Sequence, residues 1–198
     1  PSMSANAVTR AALEFDLRHA VEKENGQLAL HFQPQVQADG SVVSVEALLR
    51  WGHPTRGSMP PMEFIPIAED SGLIIPLGNW VLERACLHLR DWADVPHLAQ
   101  VSIAINVSAH QFREERFVDL VAQALQRAGV QPHRLTLELT ESVLVSDVAG
   151  TVDKMRALNQ LGVRCALDDF GTGYSSLAYL KQLPIHLLKI DRTFVREI

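Results

Sequence analysis

Six polar residues stand near the ends of short apolar segments: Glu46, Asn106, Glu138, Asp168, Asp169 and Lys189. The first five carry oxygen donors, with no histidine or cysteine among them, which suits a hard divalent cation such as Mg²⁺ or Mn²⁺. Several carboxylates facing one cavity repel each other unless cations neutralise them. Adjacent Asp168 and Asp169 could bridge two such ions, the arrangement used for displacement at a phosphate. Each residue also has a plainer reading. Asp169 could cap a following helix, as could Asn106 or Ser108. Glu141, just past its segment, reads as structural rather than catalytic. Lys189 at an inward position needs a carboxylate or phosphate partner. A neutral Lys189 acting as a Schiff-base nucleophile in an unrelated barrel enzyme is a further reading, and the surrounding carboxylates favour the charged amine. Polar residues recurring on five separate segments point to a metal site.

The elements that must position these residues follow from periodicity. Ala11–Glu24 has Leu13, Leu17, Ala20 and Val21 on one helical face and stops at Asn25-Gly26. Leu28–Gln33 reads as a strand ended by Pro34, and Ala38-Asp39-Gly40 as a hairpin turn into a second strand, Val42–Leu49. That turn is too short for a crossover, so the first pair is expected to be antiparallel. Helices are expected at Pro61–Asp70, Pro76–Asp91, Gln111–Ala128, Asp147–Leu161 and near Ser175–Gln182. The strands between them are Val101–Val107, Arg134–Thr140, Val163–Asp168 and Leu187–Asp191. Such alternation implies a parallel sheet with right-handed crossovers.

Parity separates a barrel from an open sheet. Leu135, Leu137 and Leu139 share one face while Thr136, Glu138 and Thr140 share the other. Ser102, Ala104 and Asn106 likewise oppose Ile103, Ile105 and Val107. A central strand of an open doubly wound sheet is apolar on both faces. A TIM-like (β/α)8 barrel wall, with an antiparallel first strand, fits better. Only about six of eight strands are legible, and such barrels run to about 250 residues.

The chain has 198 residues, 47% of them apolar, and carries a net charge of −5. One domain with a full core is expected. The acidic balance argues against a nucleic-acid polymer as partner, because backbone binding needs a basic face. Cys86 and Cys165, both in apolar segments, read as buried thiols, consistent with a reducing cytoplasm. No membrane-spanning run or signal segment is visible. The start Pro1-Ser2-Met3-Ser4 has no initiating Met, so residues 1–10 read as a tag or linker remnant, or as a cut within a longer chain.

Ordered blocks then carry a resemblance. Glu46-Ala47-Leu48-Leu49-Arg50-Trp51, Asn106-Val107-Ser108, Glu138-Leu139-Thr140-Glu141-Ser142, Asp168-Asp169-Phe170-Gly171-Thr172-Gly173-Tyr174-Ser175-Ser176-Leu177 and Leu188-Lys189-Ile190-Asp191 stand in order. From about Leu28 to the end the chain resembles the EAL family of bacterial cyclic-di-GMP phosphodiesterases, named for the Glu46-Ala47-Leu48 block. A lone Glu-Ala-Leu would carry no weight, whereas five ordered blocks are specific.

The resemblance implies a metal-dependent barrel that hydrolyses one phosphodiester of cyclic-di-GMP to linear pGpG, with residues 11–198 as a C-terminally incomplete EAL domain. It assigns Glu46, Asn106, Glu138 and Asp168 to one cation, and Asp168 with Asp169 to a second, with Mg²⁺ or Mn²⁺ as the ions. Lys189 would orient the attacking water or neutralise charge, and Gln33, Leu49 and Arg50 would contact the ligand. The loop Phe170–Ser175 would link the metal site to a homodimer contact through residues 170–182, with Glu141 anchoring it. Sensory or GGDEF-type domains are expected upstream, and the chain is expected to be cytoplasmic, alone or as the cytoplasmic part of a larger, membrane-anchored protein. Family members continue into a seventh strand with a general-base glutamate and an eighth with a ligand-contacting glutamine, both beyond Ile198. Three accounts compete: a portion of a longer protein, completion by a partner chain, and a naturally shortened domain. A receptor that binds cyclic-di-GMP without cleaving it is the alternative function. Such receptors usually lack some metal ligands, whereas this chain keeps the set.

Overall fold

Each strand of this protein has one aliphatic face, and covering those faces with helices generates the architecture. The computed structural model describes residues 2–23, 25–144, 147–171 and 180–191, with side chains from Val8 onward. In chain order the elements are α1 (Ser2–Lys23), β1 (Leu28–Val36), β2 (Val42–His53), β3 (Gly57–Met59), α2 (Pro61–Asp70), α3 (Ile74–Asp91) and β4 (Ser102–Val107). There follow α4 (Ala109–Arg113), α5 (Phe117–Ala128), β5 (Leu135–Thr140), α6 (Val148–Gln160), β6 (Arg164–Phe170) and β7 (Leu187–Ile190). The sheet order is β1-β2-β4-β5-β6-β7, with the short β3 paired to β2. β1 runs antiparallel to β2, and β2, β4, β5, β6 and β7 are parallel neighbours. This is the expected α/β wall of a TIM-like barrel with an antiparallel first strand.

The main core lies outside the wall, between sheet and helices. Val45, Ala47, Ile103, Ile105, Leu135, Leu137 and Leu139 pack against Leu82 and Leu89 of α3, Phe117 and Val121 of α5, and Met155 and Leu158 of α6. Full burial of such a side chain is worth about 1.5–3 kcal/mol each. A second core joins α1 to the β2–β3 hairpin: Leu13, Leu17 and Ala20 pack with Trp51, Met59 and Phe64. His53 pins this junction. Its Nδ1 accepts from the backbone N–H groups of Thr55 and Arg56, each at 3.2 Å, and its Nε2 lies 3.0 Å from Asp16 of α1.

Several boundaries differ from the sequence expectation, each for a local reason. The first helix begins at Ser2 rather than Ala11, so residues 2–10 are helical, and Arg10 pairs with Asp70 of α2. β1 continues past Pro34 to Val36. Pro34 lacks a donor, but β1 stands at the end of the strand order, where a missing N–H is tolerated. α3 starts two residues before Pro76, because a first-turn N–H has no intrahelical partner to lose. The single helix expected over Gln111–Ala128 is two. Lys154 Nζ takes the carbonyls of Phe112 and Glu114 at 2.7 and 2.9 Å, and Glu114 turns extended. The strand β3 was not legible at three residues. Most of the expected helix near Ser175–Gln182 lies outside the described residues.

Arg134 holds the lower end of the wall together. Its buried guanidinium donates to the carbonyls of Leu89, Leu98 and Val101 at 2.9–3.2 Å. Replacing it with methionine keeps the volume but strands these acceptors, which costs about 2–4 kcal/mol. Urea unfolding of Arg134→Met should show a lower midpoint at unchanged slope; an unaltered midpoint would mean that these bonds contribute nothing.

Candidate functional site

Strand tilt brings the polar residues to one level. Glu46 is paired with Ala104, and Asn106 lies two residues further along β4. Asn106 is paired with Glu138. Glu138 is paired with Ala166, and Asp168 lies two residues further along β6. Even offsets keep every one of these side chains on the inner face, and the stagger is that of strands inclined to a barrel axis. Lys189 enters from β7.

The side chains meet at the Lys189 ammonium. Nζ donates to Glu46 Oε2 at 3.1 Å, Glu138 Oε2 at 2.8 Å and Asp168 Oδ2 at 2.8 Å. Asn106 Nδ2 donates to the other oxygen of Glu46 at 2.8 Å. Gln35 Nε2 reaches the other oxygen of Glu138 at 3.4 Å. The Glu138 side chain is fully buried and that of Lys189 is 25% exposed. Burial alone would lower the Lys189 ammonium, but hydrogen bonds to Asp168 and Glu138 outweigh it and hold the amine above the usual lysine value. Burial pushes the Glu138 carboxyl up, against the hydrogen bond from Lys189. A neutral amine is therefore disfavoured at this position, which removes the Schiff-base reading.

Asp169 needs a separate explanation, because neighbours on a regular strand point to opposite faces. The β6–β7 register shifts between Leu167 and Phe170, and Asp169 adopts a left-handed φ of 53°. Its N–H donates to Asp168 Oδ1 at 2.9 Å. The bulge turns the second carboxylate out of the strand alternation. Desolvation raises the Asp169 carboxyl, and the charges of Asp168 and Asp191 add to the effect.

The donor chemistry fits divalent cations. Glu46, Glu138, Asp168 and Asp169 are four carboxylates against one ammonium, and every ligating atom type is oxygen. The expected cage around a pair of ions is not itself formed among the described residues, where no three acidic, histidine or cysteine groups are spaced around a common cation position. Lys189 takes the point at which three of the carboxylates converge.

Beside the cluster, a cavity of about 550 Å³ opens between β2, α2, α3 and α4, with Leu49, Arg50, Asn106 and Glu138 in its lining. Arg50 Nη1 bonds the Leu49 carbonyl at 2.9 Å, leaving its other donors for a ligand. Gln33 is exposed, paired with Glu46 across β1 and β2, and is not part of that lining. Gln35, on the same face two residues later, is the one that touches the cluster; strand parity carried the signal. Glu141 Oε1 accepts from Gly171 N–H at 2.7 Å, joining the end of β5 to the segment after β6. The rest of the Phe170–Ser175 loop, and most of the expected dimer contact over residues 170–182, lies outside the described residues. Sequence reasoning also missed Gln111. Its buried amide lies so close to Gly78 that a Cβ there would fall 2.2 Å from Oε1. A glycine inside a helical pattern was the available signal.

Comparison with known proteins identifies the family and the fold. The family model of the EAL domain matches residues 15–198. The chain is 48% identical over 198 residues to the bifunctional diguanylate cyclase/cyclic di-GMP phosphodiesterase MucR of Pseudomonas aeruginosa, covering all of this chain and 28% of that protein. It is 39% identical over 198 residues to the cyclic di-GMP phosphodiesterase PdeR of Escherichia coli, covering 29% of it. The chain thus spans under a third of the length of these curated relatives. Among solved structures, the PaMucR phosphodiesterase in its c-di-GMP complex superimposes with a TM-score of 0.88 at 48% identity, over 94% of this chain and 74% of that one. The EAL enzyme Bd1971, in a form bound to cAMP and cyclic-di-GMP, gives 0.87 at 33% identity, over 98% and 53%.

Lys189→Met tests the charge balance. Removing the ammonium leaves Glu46, Glu138 and Asp168 facing one another, which should cost about 3–5 kcal/mol in chelator-treated protein. Because the Glu138 carboxyl is raised in the fold, protonation relieves the repulsion. The deficit should therefore narrow as pH falls through the carboxylate range and widen as it rises. Denaturant titrations from pH 4 to 8 would measure it, and a deficit independent of pH would count against the ion-pair account.

Proposed function

Since this chain belongs to the EAL-domain family, we propose that it hydrolyses cyclic-di-GMP to linear pGpG with a pair of Mg²⁺ or Mn²⁺ ions, following the family pattern. The observation that carries this reading is the convergence of Glu46, Glu138 and Asp168 on Lys189, with Asn106 bonded to Glu46. Glu46, Asn106, Glu138 and Asp168 would hold one cation, and Asp168 with Asp169 the second. Bound there, the cations supply Lewis-acid stabilisation of the phosphate and activation of water.

The chain's own residues act around that chemistry. Arg50, in the lining of the cavity, would present a planar donor set to a phosphate oxygen. Lys189 holds three carboxylates at one point and keeps a positive charge beside the reacting phosphate. Asn106 fixes one oxygen of Glu46. Gln33, Leu49 and Arg50 would contact the dinucleotide, and Glu141 would tether the loop after β6 through Gly171. In the net reaction water adds to phosphorus, one phosphorus–oxygen ester bond breaks, and the sugar hydroxyl leaves with a proton.

MucR is named as a cyclase as well as a phosphodiesterase, which supports a GGDEF-type or sensory domain upstream. A homodimer through residues 170–182 is expected from the family. No helix among the described residues is long and apolar enough to cross a membrane. Cys86 and Cys165 are buried free thiols, each pushed up to about 12 by burial, which supports a cytoplasmic place.

Incubation with cyclic-di-GMP and Mg²⁺ or Mn²⁺ should yield pGpG, resolved by chromatography. EDTA should abolish the product, and Glu46→Ala should lower its rate by at least about 10²-fold. Tight binding without product would favour the receptor reading instead.

A further inference from the structure

Glu141 reaches the segment after β6, yet Glu141 itself stands in a single turn of 3-10 helix, Glu141–Leu144, at the end of β5. One such turn holds its own shape poorly, because its hydrogen bonds are few and poorly aligned. A fastening for it comes from α6. The Thr151 hydroxyl donates to the carbonyl of Val143 at 3.0 Å, eight positions back along the chain. Both partners are buried, Thr151 at 7% exposure and Val143 at 2%.

A threonine within a helix commonly turns its hydroxyl back to the carbonyl four residues before it. Here that carbonyl, of Asp147, receives the Thr151 backbone N–H at 3.2 Å, and the hydroxyl bonds outside the helix. Packing alone would be served by valine, which has the same shape without the polar atom. A buried hydroxyl without an acceptor is costly, so this bond ties the 3-10 turn to the first turn of α6. The helix is a firm support. Asp147 caps its start through the Gly150 N–H at 2.9 Å, and Met155 and Leu158 are fully buried. Lys154, one turn beyond Thr151, grips the carbonyls of Phe112 and Glu114.

Glu141 passes this support on towards the acids. Its Oε1 accepts from Gly171 N–H at 2.7 Å. Gly171 has a φ of 101°, and two residues before it Asp169 is held at a φ of 53°. A non-glycine residue persists in that region only when its surroundings hold it there. Resting on the metal-dependent reading above, we propose that Thr151 is a positioning residue for the second cation. Through the Val143 carbonyl it fixes the turn that carries Glu141, and so the bond at Gly171 that keeps Asp169 turned to the rim.

The full chain carrying Thr151→Val, Thr151→Ala or Thr151→Ser tests this by amide hydrogen exchange, read by NMR, and by Mn²⁺ calorimetry on chelator-stripped protein. The first two substitutions remove the hydroxyl and the third keeps it. In both hydroxyl-free variants the Gly171 N–H should exchange roughly three- to tenfold faster, while Leu137 and Leu139 of β5 keep the parent rate. Mn²⁺ affinity should fall by a similar factor, and Thr151→Ser should match the parent in both measurements. Faster exchange at all of these amides alike would mean only a loosened fold and would overturn the proposal. Parent-like exchange at Gly171 in both hydroxyl-free variants would overturn it too. Glu141→Ala separates the two levels, since it should weaken Mn²⁺ binding at least as much as Thr151→Val. If it does so while the hydroxyl-free variants bind as the parent does, the role of Thr151 alone is lost. If Glu141→Ala binds Mn²⁺ like the parent, the tether itself falls and the inference with it.

Discussion

The ammonium of Lys189 faces three carboxylates contributed by β2, β5 and β6, and this concentration of charge constrains the rest of the molecule. An interior charge is costly unless partnered. Lys189 answers that demand for Glu138, whose side chain is fully buried, but it cannot cancel four acids. The wall must therefore bring a negatively charged centre together against its own repulsion. The strand ladders and the aliphatic core outside them supply the necessary free energy. Ile103, Ile105, Leu135, Leu137 and Leu139 alternate with the inward polar residues along the same strands. Each strand thus contributes to stability with one face and to the polar centre with the other.

Geometry as well as energy depends on this alternation. A slip of one residue in the β4–β5 register would turn Glu138 into the aliphatic layer and Leu137 or Leu139 into the cavity. Both exchanges are expensive, so the polar centre and the apolar core fix the register jointly. Asp169 is the exception to the rule of alternation. Its left-handed backbone and the register shift beside it allow two consecutive acids to serve the same rim. A non-glycine residue held in that region stores strain of order 1–3 kcal/mol, which the neighbouring ladder must maintain.

Much of this was legible in the sequence, because the relevant periods are short. Parity in Leu135–Thr140 separates the layers, and polar residues at strand ends mark the rim. The antiparallel first pair follows from the length of the turn at Ala38-Asp39-Gly40. What was not legible depends on contacts between distant residues. The break between α4 and α5 is made by Lys154, some 40 positions along the chain, capturing the carbonyls of Phe112 and Glu114. The extension of β1 through Pro34 depends on its place at the end of the strand order. The convergence on Lys189 shows the same limit, since inward position was readable but the choice of three particular partners was not.

The cavity extends this division of labour. Near β2 and β5 it meets the charged centre, and towards α2 and α3 it is walled by Ile65, Ile74 and Leu77. A ligand that fills both parts must combine an anion with a flat, largely apolar body. On the proposed reading, Arg50, Lys189 and the cations held by the carboxylates would orient the anion. The body is oriented by shape, and shape alone discriminates poorly between purines of equal size. The apolar end of the cavity is built by helices α2 and α3 rather than by the strands that carry the acids, so the two parts of the lining are supplied by different layers of the fold.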